Sequence, residues 1–146
     1  MHSSCYVYCD GLCQPMNPAG VATYGFVVYF GGELIYQESG IVGEGKGMSN
    51  NVAEYSALCA ALRWLRGRQL HQHEIVVFSD SRLMVNQMSG LWRSNGGLYL
   101  RWQQEAKRFA QEFPRLRFEW IPRERNEQAD RLSKEAYERY KTSKIV

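Results

Sequence analysis

The run Glu74–Asp80, EIVVFSD, does most to constrain what this chain can fold into. Ile75 to Phe78 are apolar without alternation, the pattern of a strand covered on both faces. The run follows Ala53–Leu65, where apolar residues almost surround the helix, as they do when a helix packs beneath a sheet. A strand reached through a helical crossover runs parallel to a strand already in the sheet. Three earlier runs supply that sheet: SCYVYCD (Ser4–Asp10), GVATYGFVVYF (Gly20–Phe30) and ELIYQESGIV (Glu33–Val42), the last two joined by a tight turn at Gly31-Gly32. Beyond Asp80, SRLMVNQMSG reads as a short helix ended by Gly90. Leu98, Trp102, Ala106, Phe109 and Phe113 then recur at helical spacing. LRFEWI alternates as a strand, and NEQADRLSKEAYERY closes the chain as a helix with Asn126 at its cap. The order β-β-β-α-β-α-α-β-α predicts an α/β fold: a five-stranded mixed sheet, three antiparallel strands then two parallel, with helices on its faces.

A length of 146 residues, 45% of them hydrophobic, fits a single domain spanning residues 1–146. The net charge of +3 is unevenly spread: residues 1–80 hold four Lys/Arg against seven Asp/Glu, residues 81–146 fourteen against eight. Basic flanks around an acidic centre suit a polyanionic partner, and a plain solvated surface fits the charge equally well. No apolar stretch reaches the length needed to cross a bilayer, and the start MHSSCYVYCDG lacks the charged and apolar regions of a signal peptide, so an intracellular, cytoplasmic protein is expected; a monomer is the working expectation, though the sequence does not set the oligomeric state. Cys5, Cys9, Cys13 and Cys59 show no CxxC spacing and read as free core thiols. GIVGEGKG (Gly40–Gly47) nearly matches a phosphate-binding loop, but Gly47 stands where the metal-binding hydroxyl should be. His71 and His73 read as surface-loop residues rather than metal ligands.

Four carboxylates fall at telling places. Asp10 and Asp80 end the first and fourth strands, which as parallel neighbours would lie side by side at the edge where such sheets bind ligands. Glu54 and Asp130 lie in the first turns of two helices, near the positive ends of their dipoles. Singly, Asp80 and Asp130 could be ordinary helix-start residues. Four acids converging without bases would repel one another, and hard divalent cations resolve that repulsion. Oxygen donors alone, with no Cys or His nearby in sequence, suit Mg²⁺ or Mn²⁺ rather than zinc.

Taken in order, YCDG (Tyr8–Gly11), SNNVAEY (Ser49–Tyr55), FSDS (Phe78–Ser81) and RNEQAD (Arg125–Asp130) resemble type 1 ribonuclease H, in a compact form without a hybrid-binding domain. The resemblance covers nearly the whole chain. It implies the ribonuclease H-like fold and endonucleolytic hydrolysis of the RNA strand of an RNA–DNA hybrid. It makes Asp10, Glu54, Asp80 and Asp130 the catalytic, metal-binding acids. It implies two Mg²⁺ or Mn²⁺ ions and products with 5′-phosphate and 3′-hydroxyl ends. By the same resemblance Asn17, Asn50 and Asn51 are polar contacts to the hybrid, whose 2′-hydroxyls distinguish RNA from DNA. Ser49 and its helix start offer a hydroxyl and backbone N–H groups to a phosphate, and Ser49 or Asn50 can serve as a helix cap as well. Trp92 is a core residue by default, and the resemblance offers it to the DNA strand.

The segment after Asp80 is short, without a lysine-rich protrusion, and no histidine follows His73. Many family members place a histidine before the last acid, where it helps product leave. Here Glu124, six residues before Asp130, is the candidate for that role, against the plainer reading of a solvated carboxylate paired with Arg123 or Arg125. Three alternatives stay open: the ribonuclease H domain of a reverse transcriptase, a catalytically silent hybrid-binding module, and another nuclease of the same fold.

Overall fold

The computed structural model describes residues 4–94 and 96–145. β1 (Cys5–Gln14), β2 (Val21–Phe30) and β3 (Glu33–Glu44) form an antiparallel meander, followed by α1 (Asn50–Gly67) and β4 (Ile75–Ser79). Then come α2 (Arg82–Met88), α3 (Leu100–Ala110), β5 (Leu116–Trp120), a short 3₁₀ turn (Arg123–Arg125) and α4 (Glu127–Ile145). The sheet order is β3-β2-β1-β4-β5; β4 pairs in parallel with both β1 and β5. The expected mixed sheet and element order are therefore observed. β4 is buried on both faces, as its unbroken apolar run requires.

Parity along β1 assigns the two faces. Cys5, Val7 and Cys9 are fully buried in the core with Tyr55, Leu58 and Leu62 of α1. Tyr6, Tyr8 and Asp10 point to the other face, where α4 packs across β2: Thr23 Oγ1 meets Ser133 Oγ at 2.8 Å and the Tyr29 hydroxyl donates to Gln128 Oε1 at 2.6 Å. The four cysteines are buried and free.

Two boundaries differ from the sequence reading. Asp10 does not end β1. The parallel ladder with β4 stops at Tyr8–Phe78, while β1 runs on to Gln14 against β2, through Gln14–Val21. Asp10 thus sits where β1 loses its neighbour on one side, and a site opens there. α3 begins at Leu100, leaving Leu98 in a turn and 48% exposed; Trp92 is also exposed rather than core.

Candidate active site

Gly11 and Gly25 let the two helix layers close on Asp10. A Cβ on Gly11 would lie 2.3 Å from the Ala53 carbonyl carbon and 2.5 Å from the Glu54 nitrogen, so only glycine lets β1 pass against the start of α1. Gly25, the strand partner of Asp10, is pressed in the same way by Ala129 O and Leu132 Cβ of α4. Asp80 follows the last residue of β4 directly. Ser81 caps α2 by accepting from Met84 N–H at 3.1 Å, which turns the chain away just beyond Asp80.

These elements bring Asp10, Glu54 and Asp80 together: one carboxylate oxygen from each lies within 4.8 Å of the others. Asp10 and Glu54 are buried, at 2% and 8% exposure. Asp10 Oδ2, Glu54 Oε2 and Asp130 Oδ1 are buried without a hydrogen-bond partner. Burial, reinforced by Asp80 and Asp130, pushes the Asp10 carboxyl up to about 8. Burial, with Asp10 and Asp80 beside it, raises Glu54 well above the usual carboxylate range. Asp80 is raised by burial, against the opposing pull of Arg123. Asp130 stands outside the tight trio. Lys134 Nζ holds its Oδ2 at 2.9 Å, and Arg123 Nη2 approaches Oδ1 at 4.0 Å.

The hollow over the acids, about 340 Å³, is lined by Asp10, Gly11, Leu12, Asn50, Glu54, Asp80, Trp120 and Arg123. On its α1 side the polar residues are wired together. Asn50 N–H donates to Asn17 Oδ1 at 2.9 Å, and Asn50 Oδ1 accepts from Cys13 N–H at 2.8 Å. Among the described residues neither Asn50 Nδ2 nor Asn17 Nδ2 donates to the protein, so both exposed side chains present donors outward. Ser49 caps α1, its Oγ accepting from Val52 N–H at 3.1 Å. Asn51 is half-buried in the first turn of α1. Trp92 is 50% exposed in the loop after α2.

Three residues in and around the hollow were not read from the sequence as parts of the site. Trp120 lines it, its indole N–H donating to Asp80 O at 3.1 Å, with the Arg82 guanidinium 3.9 Å above its ring. Arg123 lines it too, while its neighbour Glu124 faces a second hollow with Tyr6, Tyr8 and Tyr29. Asn126 stands at the cap position of α4, where its carbonyl accepts from Asp130 N–H. Its side chain, however, crosses to β1 and donates to Cys9 O at 2.7 Å, beside Asp10. Strand alternation could have placed Trp120 at the end of β5; no local signal separates Arg123 from Glu124.

Residues 32–136 match the model of the reverse transcriptase-like family. The chain is 38% identical over 122 residues to the bifunctional protein Rv2228c of Mycobacterium tuberculosis, covering 82% of this chain and 32% of that protein. It thus spans about a third of the length of these mycobacterial relatives. Ribonuclease HI of Halobacterium salinarum is 33% identical over 135 residues, 90% of this chain and 63% of that protein. Among solved structures, LC11-RNase H1 in complex with an RNA/DNA hybrid superposes with a TM-score of 0.84 at 34% identity, covering 93% of this chain and 98% of that one.

Proposed function

This chain belongs to the type 1 ribonuclease H family, and on that premise we propose that it hydrolyses the RNA strand of RNA–DNA hybrids at the hollow over Asp10, Glu54 and Asp80, with Asp130 beside it. The observation that carries the reading is the convergence of three carboxylates, one oxygen of each lying within 4.8 Å of the others. Buried oxygens left without partners on Asp10, Glu54 and Asp130 fit a set of hard divalent cations. Two such ions, Mg²⁺ or Mn²⁺, would activate a water against phosphorus and stabilise the leaving 3′-oxygen, giving 5′-phosphate and 3′-hydroxyl ends.

The chain's own groups do the rest. Asp10, Glu54 and Asp80 would hold the cations on rigid elements, and Asp130, already balanced by Lys134, would close the set from α4. Asn17 and Asn50 aim amide donors outward, suited to acceptors in the minor groove and to 2′-hydroxyl oxygens. Asn51 adds a further amide. The Ser49 hydroxyl can still donate to a phosphate while its oxygen caps α1. Trp92 offers an exposed ring to the DNA strand. Arg123 supplies a cation at the scissile hollow.

The same reading has the protein act as a monomer in the cytoplasm; among the described residues no helix is long and apolar enough to cross a membrane. The test is incubation with labelled RNA–DNA, RNA–RNA and DNA–DNA duplexes, with and without Mg²⁺. Cleavage of the RNA in the hybrid alone, only with metal, is expected. Metal-independent cleavage, or hybrid binding without cleavage, would sink the proposal.

A further inference from the structure

The loop after α2 exposes apolar side chains, with Leu91 at 74%, Trp92 at 50% and Leu98 at 48%. Beneath it lies a buried polar network that no step above uses. Gln87 of α2 is 3% exposed, and all four hydrogen-bonding positions of its amide are filled. Its Oε1 accepts from the Tyr55 hydroxyl of α1 at 2.6 Å and from Gln103 Nε2 of α3 at 3.0 Å. Its Nε2 donates to the Tyr99 hydroxyl at 3.0 Å and to Arg93 O, next to Trp92, at 3.3 Å. The oxygen half of one amide therefore grips the helix pair, and the nitrogen half grips the loop beside Trp92 and at its end, Tyr99. Tyr55 adjoins Glu54 and stacks on Tyr99, with ring centroids 5.5 Å apart at 7°. An amide that only filled space would incur a desolvation cost that a methionine avoids.

We propose that Gln87 is a positioning residue that sets the Trp92 loop against the helix bearing Glu54, so that it tunes the grip on the hybrid's DNA strand and leaves the chemistry alone. This rests on the hybrid-cleaving function proposed above. Gln87 is too buried to touch nucleic acid and acts only through Arg93 O and Tyr99.

The experiment compares Gln87→Met and Tyr99→Phe, each with and without Trp92→Ala, by steady-state KM, single-turnover rate on a labelled hybrid, and thermal melting. Gln87→Met should raise KM roughly three- to tenfold, the loss of loop hydrogen bonds expressed as affinity. The single-turnover rate at saturation should stay within about twofold. In the double variant KM should rise little beyond Trp92→Ala alone, because the grip that Gln87 serves is already gone. Tyr99→Phe, which keeps the stacked ring and loses the hydroxyl, should shift KM the same way by less; it carries the test if Gln87→Met does not fold. Unchanged KM overturns the proposal. So do KM effects that multiply independently with Trp92→Ala, and so does a loss confined to the single-turnover rate. A wild-type protein that cleaves no hybrid overturns the function beneath it and the inference together.

Discussion

The two ends of the acid cluster are built on different electrostatic principles. At the sheet end, Asp10 and Glu54 are buried against each other and against Asp80, with unpartnered oxygens and carboxyls raised by burial. At the α4 end, Asp130 is met by Lys134 at 2.9 Å and approached by Arg123. The first end stores repulsion on elements that cannot move apart, because Gly11 is pinned against α1 and Gly25 against α4. The second is largely balanced in charge by Lys134 and Arg123 before any ligand arrives, although Asp130 Oδ1 is buried without a hydrogen-bond partner. A metal site needs the first arrangement, since an anionic trio already answered by lysine or arginine would hold a divalent cation weakly. The balanced acid at the edge can join or leave the set at less cost.

The largest effect should come from Asp10→Asn. Removing the central acid should lower cleavage on the order of 10³-fold or more, about 4 kcal/mol of transition-state stabilisation. It should also raise the melting temperature of the metal-free protein, because the repulsion it relieves is a folding cost. Near-wild-type cleavage by a folded Asp10→Asn protein would break the contrast at its strong end. Asp130→Asn should cost less activity and give no such gain in metal-free stability.

pH separates the two ends next. A carboxyl whose pKa is raised by folding, as that of Asp10 is from 3.8 to about 8, binds more protons folded than unfolded in that window. Its contribution is fully present below pH 4 and is lost as pH climbs towards 8. Metal-free protein should therefore lose stability over pH 4–8 by on the order of a few kcal/mol. Saturating Mg²⁺ should remove most of that slope, and chelation should restore it. A flat metal-free profile in denaturant titrations would show that the acids are not strained together. Asp10→Asn should flatten the profile even without metal.

What the sequence disclosed follows the same divide. Three of the acids were legible where local patterns place them, Asp80 directly after an unbroken apolar run and Glu54 and Asp130 in the first turns of helices, whereas Asp10 was read as a strand end and lies inside β1. The extension of β1 to Gln14 was not legible. Gly11 looks like a stop until the close approach of α1 shows why it stands inside a strand. Asn126 looked like a simple cap, and its bond to Cys9 O spans 117 positions of sequence that no local pattern encodes. Trp92 looked like core because tryptophan usually is, and nothing in the local pattern singled out Gln87. Long-range placement made them what they are.

The proposed substrate contacts lie on the exposed side, and smaller effects are expected there. Asn50→Asp keeps the oxygen that accepts from Cys13 N–H but removes the outward amide donors, so the fold should melt as before while KM for hybrid rises. Asn51→Ala should raise KM by the loss of one hydrogen bond, about 0.5–1.5 kcal/mol net or up to roughly tenfold. Selectivity between hybrid and duplex DNA should blur in both. Wild-type KM and selectivity in both variants would reduce the amides to bracing.

The smallest effect should come from Glu124, and it tests the α4 end of the comparison. Arg123 and Glu124 are consecutive on one short turn but face different hollows, the arginine over the acids and the glutamate among Tyr6, Tyr8 and Tyr29. A carboxylate added to the acidic side would compete with Asp130 for Lys134 and Arg123; turned away, it acts on the site only at the lip of the turn. Glu124→Ala should therefore leave the single-turnover rate unchanged and lower steady-state kcat by no more than about twofold, through slower product release. Arg123→Ala, which strips a cation from beside Asp130 and Asp80, should change KM and its salt dependence more than Glu124→Ala changes anything. If Glu124→Ala cut the single-turnover rate as deeply as Arg123→Ala, the turn would not divide the two hollows. The pre-neutralised end would then take part in the chemistry as fully as the strained one.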